Sequence, residues 1–276
     1  MTVPEETGSQ ADTTRSARAG IPAFVGPAPV PAEAFGRQVV DVPAQDGEHR
    51  VSVRFGGPAG SGRPPTLLLH GLVLSGRYLM PSARRLAASR LVVVPDMPGC
   101  GDSPHPDVPL GIDQLAVIAR GLLKEVGEPA AVIANSFGCL IAVELAIRHP
   151  EAVRCLIMAG PPARPGLPGI ALRWMSTAVR EPPALWPIGL QALRRTGLRQ
   201  AAAHLRMARR YPLRQRLTRV TAPVLVVRGL RDHLASRGWA QELASACPQG
   251  VLIETDAVHT LPYEIPELIT SLVDTA

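Results

Sequence analysis

The sequence lacks any run approaching the roughly 18 consecutive apolar residues that a membrane-spanning helix needs, so no membrane association is expected. Cysteine is scarce: Cys100, Cys139, Cys155 and Cys247 lie far apart without a C-x-x-C pair. Neither a disulfide framework nor a zinc site is expected from them, and reduced thiols in the cytoplasm are the default. The opening stretch MTVPEETGSQADTTRSARAG carries acids early and has no apolar core of about 7–15 residues, so it does not read as a secretory signal. His49, His105, His149, His204 and His233 are scattered without ligand spacing, and neither a metal nor a cofactor is expected. Charged residues make up only 19% of the 276-residue chain against 46% hydrophobic, a composition that argues against wholesale disorder and leaves ample material for a core.

Lysine is absent from one segment where arginine abounds. Between Pro161 and Thr221 there are twelve arginines, no lysine and one acid, Glu181; the rest of the chain has 17 basic residues against 22 acidic ones. The net charge of +6 therefore belongs to an insert. That insert has only three aromatics, Trp174, Trp186 and Tyr211, and no nucleic-acid-binding motif, so nucleic acid is not an expected partner. Its arginines read as solvated helix faces, with one or two turned inward toward an anionic small-molecule substrate as the sharper alternative.

Residues 1–35 are rich in Pro, Ala, Thr and Ser without periodicity and read as a mobile tail. Two extended stretches follow, RQVVDV (37–42) and HRVSVRF (49–55), around a polar turn at Gln45-Asp46-Gly47, the pattern of a hairpin. From Thr66 short apolar runs alternate with helical periodicity: TLLLH, LVVVP, AVIAN, CLIMAG, VLVVRG and VLIET, with helices expected at about 77–89, 113–126, 137–149, 235–246 and 264–274. Runs without polar alternation are strands buried on both faces, so the fold class is α/β with a mostly parallel sheet and helices on both sides. One connection, between CLIMAG and VLVVRG, is out of scale. Residues 161–219 read as an inserted helical cap, leaving 36–160 and 220–276 as the core.

The decisive segment is AVIANSFGCLIAVELAIRHP (131–150), in which a strand runs into Asn135-Ser136-Phe137-Gly138 and a helix begins at once. A serine at such a turn projects its hydroxyl from the sheet edge, and the close backbones require small residues two before and two after, here Ala134 and Gly138. A plain helix N-cap is the bland alternative for Ser136. Leu69-His70-Gly71-Leu72 follows the third strand, and Asp96-Met97-Pro98-Gly99-Cys100-Gly101-Asp102-Ser103 follows the fourth. With these motifs the chain resembles the α/β-hydrolase superfamily from about residue 37 to its end. The resemblance implies that the Leu72 and Phe137 amides form an oxyanion hole; Phe137 N–H also lies at a helix N-terminus, where unpaired donors favour an anion. His70 reads as a brace of its loop or as a pocket residue. Asn135, Trp174 and Trp186 are further pocket candidates, and Leu172, Met175 and Leu190 are expected to bury over the site mouth.

The family order is nucleophile, acid, base. Leu230-Arg231-Asp232 ends one strand and Asp256-Ala257-Val258-His259 another, which puts Asp232 and His259 past the sheet edge where ligands bind. Pro161-Pro162-Ala163 occupies the family's other acid position, and Asp256 is the remaining rival. The expected function is hydrolysis through Ser136, Asp232 and His259 by an acyl-enzyme. Asn-Ser-Phe-Gly is similar to the elbow of hydrolases that cleave carbon–carbon bonds in meta-cleavage products, although Ala134 and Cys139 stand where glycines are usual. Simple esters, lactones and thioesters fit equally. The fold also hosts lyases, cyclases and receptors, and the Ala-, Pro- and Arg-rich composition resembles proteins of high-GC actinobacteria, whose natural-product pathways use such enzymes.

Overall fold

The computed structural model describes residues 35–44, 47–127, 129–164, 166 and 169–275. Residues 1–34 of the expected tail, and Gln45 and Asp46 of the expected turn, lie outside the described residues. Eight strands form one sheet: β1 (Gly36–Ala44), β2 (Gly47–Gly56), β3 (Thr66–Leu69), β4 (Val92–Asp96), β5 (Ala130–Asn135), β6 (Val153–Ala159), β7 (Val224–Gly229) and β8 (Gly250–Thr255). Their spatial order is β1-β2-β4-β3-β5-β6-β7-β8. β2 pairs antiparallel with β1 and β4, and β3 to β8 run parallel. The helices are α1 (Met80–Leu86), α2 (Ile112–Val126), α3 (Gly138–Arg148), α4 (Ile170–Arg180), α5 (Leu185–Arg210), α6 (Leu213–Leu217), α7 (Arg237–Ala246), α8 (Leu261–Glu264) and α9 (Pro266–Thr275).

Apolar runs such as Leu67-Leu68-Leu69 make sense once both faces are covered, because successive side chains point to opposite sides. Leu67, Leu69, Val132, Ala134, Leu156 and Met158 pack toward α2, α3 and α7. Leu68, Ala131, Ile133, Cys155 and Ile157 pack toward α1, α8 and α9. The C-terminal ends of β3, β5, β7 and β8 thereby collect the loops that bear the candidate site.

The segment between β6 and β7 is helical, as its spacing predicts. α5 is two arms meeting at Gly197, whose φ of +70° and ψ of 161° are not helical, so the second arm, carrying Gln200 and His204, leaves at an angle. The expected burial of Leu172, Met175, Trp186 and Leu190 is corrected: all four are exposed. Among the described residues of α4 Thr177 is buried, and Leu172, Met175 and Val179 are exposed. The arginines stay outside as well: eleven of the twelve are exposed, and half-buried Arg216 pairs with the buried Glu144.

A cluster of buried charge lies near the antiparallel edge. Asp96, at the end of β4, accepts from Arg54 Nη1 (2.8 Å), Arg54 Nη2 (3.2 Å), Gly76 N (2.7 Å) and Asp102 N (2.9 Å). Asp102 in turn meets Arg54 and Arg37 at 3.0 Å each, together with Arg195 from α5. Removing one member of a buried pair strands the other charge. Arg54→Met is expected to cost about 3–5 kcal/mol of unfolding free energy. Urea denaturation checks this; a midpoint equal to wild type would contradict it.

Candidate active site

Ser136 sits between β5 and α3 with φ +52°, one of two non-glycine residues with positive φ among those described. Such a conformation costs on the order of 1–3 kcal/mol and persists only where neighbours enforce it. They do: Ser136 N donates to Gly160 O (2.9 Å), and Cys139 N and Leu140 N close the next turn onto Ser136 O and Phe137 O (3.0 Å each). A Cβ on Gly138 would stand 2.6 Å from Leu69 O and 2.8 Å from His70 O, so only glycine lets β3 approach the elbow. The two departures in the motif answer each other: the Cys139 thiol donates to the Ala134 carbonyl at 3.3 Å.

Asn135 ties three loops together. Its Nδ2 donates to Ala159 O (2.7 Å) and to His259 O (2.9 Å), and its Oδ1 accepts from the Tyr78 hydroxyl (2.7 Å). The same Tyr78 oxygen accepts from Gly71 N at 2.8 Å. Asn135 is thus wholly engaged in structure, and the expectation that it faces a substrate is corrected. His70 is engaged in the same way. Met97 N donates to its Nε2 (3.0 Å), so Nδ1 carries the proton and donates to Gly71 O (2.9 Å). Burial pushes its imidazole below the usual histidine range, and no ring nitrogen remains for a ligand. It braces the loop, the first of its two sequence readings.

Asp232 follows β7 and His259 follows β8. Their loops interlock because Gly229 has no side chain, where a Cβ would lie 2.2 Å from Ala257 O. Asp232 Oδ2 meets His259 Nδ1 at 2.8 Å, and Oδ1 accepts from Leu234 N (2.7 Å) and Ala235 N (3.2 Å). Burial alone would raise the Asp232 carboxyl, but His259 and the two amides outweigh it and hold the carboxyl below the usual carboxylate value. For His259 burial pulls down, yet the Asp232 charge and hydrogen bond, aided by Glu181, leave the imidazole above the usual value. The rival, Asp256, is exposed and bound to Arg231 Nε at 2.8 Å.

His259 Nε2 is buried and has no hydrogen-bond partner among the described residues, Ser136 Oγ included. Nucleophile–base contacts in resting sites are often long and tighten with substrate. The two residues are neighbours through Asn135, which precedes Ser136 and holds the His259 carbonyl. Among the described residues the amides of Leu72 and Phe137 likewise donate to no acceptor. The turn after Leu72 is shaped by Val73 at φ +57°. The Phe137 amide caps the N-terminus of α3, where an unpaired N–H favours an anion.

The segment between β6 and β7 contributes residues that sequence reasoning missed. His204 stacks on Phe137 with centroids 4.6 Å apart and takes a hydrogen bond from Gln200 Nε2 at 2.9 Å; burial pushes its imidazole down to about 4. Glu181 meets Thr260, the residue after His259. Trp174 is half-buried and Trp186 is exposed, so Trp186 does not line the site. For Glu181 a signal was present, a lone acid among twelve arginines. For Tyr78 and His204 no spacing gave one.

Comparison with known proteins agrees with this geometry. A profile described as the alpha/beta hydrolase family matches residues 66–269. The 2-hydroxymuconate semialdehyde hydrolase of Pseudomonas sp. strain CF600 is 40% identical over 104 residues, 35% of this chain and 36% of that protein, so the chain spans about a third of that relative's length. The pimeloyl-[acyl-carrier protein] methyl ester esterase of Neisseria meningitidis serogroup B is 32% identical over 195 residues, 60% of this chain and 74% of that protein. Among solved structures, a thermophilic esterase from Thermogutta terrifontis superposes with a TM-score of 0.71 at 23% identity, covering 87% of this chain and 97% of its own. The enol-lactonase from Burkholderia xenovorans LB400 does so at 0.67 and 22%, covering 82% and 96%. The chain belongs to the alpha/beta hydrolase family.

Tyr78→Phe deletes the hydroxyl that serves both the Gly71 amide and the Asn135 carbonyl, leaving both buried without that partner. The expected loss of stability is about 1–3 kcal/mol. Denaturant unfolding measures it, and a variant as stable as wild type would show that the bridge carries no weight.

Proposed function

We propose that the protein is a serine hydrolase of small carbonyl compounds, in which Ser136 is the nucleophile, His259 the general base and Asp232 its orienting acid. The observation that carries this reading is the Asp232–His259 hydrogen bond of 2.8 Å, with Nε2 buried and unpartnered and the His259 carbonyl held by Asn135, the residue before a strained serine at a strand–helix elbow. Relatives named as a semialdehyde hydrolase and a methyl ester esterase support esters, lactones, thioesters and activated carbon–carbon bonds as the substrate range.

In the proposed cycle Ser136 Oγ attacks the substrate carbonyl carbon while His259 Nε2 takes its proton. The carbonyl electrons move onto oxygen, which the Leu72 and Phe137 amides receive. Asp232 keeps the proton on Nδ1 and stabilises the imidazolium. Collapse breaks the bond to the leaving group, which departs with the proton from Nε2. Water then attacks the acyl-enzyme, His259 again acting as base, and releases the acid and the free serine.

We further read α4, α5 and α6 as the cap over this site, supported by His204 on Phe137 and by Glu181 on Thr260. An anionic substrate is not favoured, because no cap arginine is buried among the described residues. We place the enzyme in the cytoplasm, a reading supported by four buried free cysteines. No described helix is long and apolar enough to cross a membrane.

Ser136→Ala is expected to fold normally and to lose on the order of 10⁶ in kcat on an activated ester. Turnover near wild type in that variant would favour a lyase or cyclase reaction on the same fold. Asp232→Asn is expected to lose about 10⁴ in kcat. The pH profile gives a second check. Because Asp232 holds the imidazole above its ordinary value, His259 is protonated and inactive at acid pH. Wild-type kcat/KM should therefore rise through a midpoint above the usual histidine value, and Asp232→Asn should move that midpoint down. An unmoved midpoint would remove Asp232 from the mechanism.

A further inference from the structure

The cap's one acid is also its one charged side chain turned toward the site among the described residues. Its arginines are exposed, except Arg216, which is half-buried and spoken for by Glu144. Glu181 directly follows α4. Its Oε2 accepts from the Thr260 hydroxyl, and Thr260 follows His259 in sequence. The other oxygen, Oε1, is buried and has no hydrogen-bond partner among the described residues. His259 Nε2, which the Glu181 charge reaches, is buried and unpartnered as well. Glu181 Oε1 thus stands as a buried acceptor without a donor, which is costly.

That cost is visible in the carboxyl itself. Burial raises it, and the Thr260 hydroxyl and His259 only partly pull it back, so the carboxylate lacks the donors it needs. Its location also identifies which half of a substrate would supply them. In the cycle above the acyl oxygen faces the Leu72 and Phe137 amides, and the departing atom takes its proton from His259 Nε2. Glu181 meets the residue after the base and its charge acts on His259, which associates it with the leaving half.

We propose that Glu181 is a specificity-determining residue whose Oε1 binds a hydrogen-bond donor, a hydroxyl or an ammonium, on the leaving half of the substrate. The inference rests on the hydrolase reading and deepens it: the preferred substrate is a carbonyl compound whose departing alcohol or thiol carries a second, donating group. An anionic leaving half would meet the carboxylate's own charge and be disfavoured.

Two esters of equal size test this, propyl butanoate and 2-hydroxyethyl butanoate, compared as the ratio of their kcat/KM values. Wild type should favour the hydroxyethyl ester by about 10- to 100-fold, the range of a hydrogen bond to a charged group. Glu181→Gln has a single carbonyl oxygen, which Thr260 already claims, and should bring the ratio near one. A wild-type ratio near one overturns the proposal. So does a Glu181→Gln variant in which both esters slow in proportion, since a merely structural role would do that. Titration of Ser136 with a fluorophosphonate, which needs no leaving alcohol, scores the underlying reading separately. Labelling without leaving-group preference overturns the Glu181 assignment alone, and no labelling overturns both.

Discussion

The site depends on a single buried amide. Asn135 is the last residue of a parallel strand that needs no help, and it precedes a serine held in a conformation that does. Its side chain reaches the β6 end through Ala159 O, the His259 loop through His259 O, and the Gly71 loop through Tyr78. Donor and acceptor ends are both fixed, because Nδ2 faces two carbonyls and Oδ1 faces a hydroxyl. Each neighbour is therefore referenced to the residue before Ser136. The Ser136 turn, the His259 loop and the Gly71 loop cannot shift independently without breaking a buried hydrogen bond. The strain at Ser136 is paid for by this knot and by the Gly160 carbonyl that receives the Ser136 amide.

The glycines around the site follow from the same crowding. Gly138 admits the β3 end, Gly160 admits the His259 carbonyl at a distance that a Cβ would reduce to 2.3 Å, and Gly229 admits the Ala257 carbonyl. Charge is handled in the opposite manner on the two sides of the molecule. Beneath the β4 loop, Arg54 neutralises buried Asp96 and Asp102, whereas between β6 and β7 eleven of the twelve arginines are exposed, Arg195 reaching Asp102 from there and half-buried Arg216 meeting Glu144, while the lone Glu181 turns inward. A surplus of like charge repels itself unless it is hydrated, which explains why the arginines took the outside.

Much of this was legible in the sequence, and the reason is physical. Strands buried on both faces leave apolar runs that no other element produces, so the positions of β3 to β8 were readable to within two residues. Ser136, Asp232 and His259 were readable because each must stand just past a strand end, and strand ends are what such runs mark. What was not legible depends on side-chain direction. Trp186, Leu172 and Met175 looked like pocket lining by composition, but the rotation of α4 and the start of α5 turn them to solvent. Asn135 looked like a ligand contact by position, and hydrogen bonds to groups on distant loops absorb it; His70 carried two readings, and its hydrogen bonds fit the brace. Tyr78 and His204 act at separations of 57 and 67 residues from Asn135 and Phe137, which no local pattern encodes.

The central claim is that Ser136 becomes covalently acylated during turnover. Rapid mixing with 4-nitrophenyl butanoate, acid quenching and peptide mass spectrometry test it most directly. The account predicts a butanoyl group on the peptide carrying Ser136, formed with a burst of nitrophenolate near one equivalent per protein. Steady turnover with no acyl group on that peptide, or with the group on another residue, would contradict it.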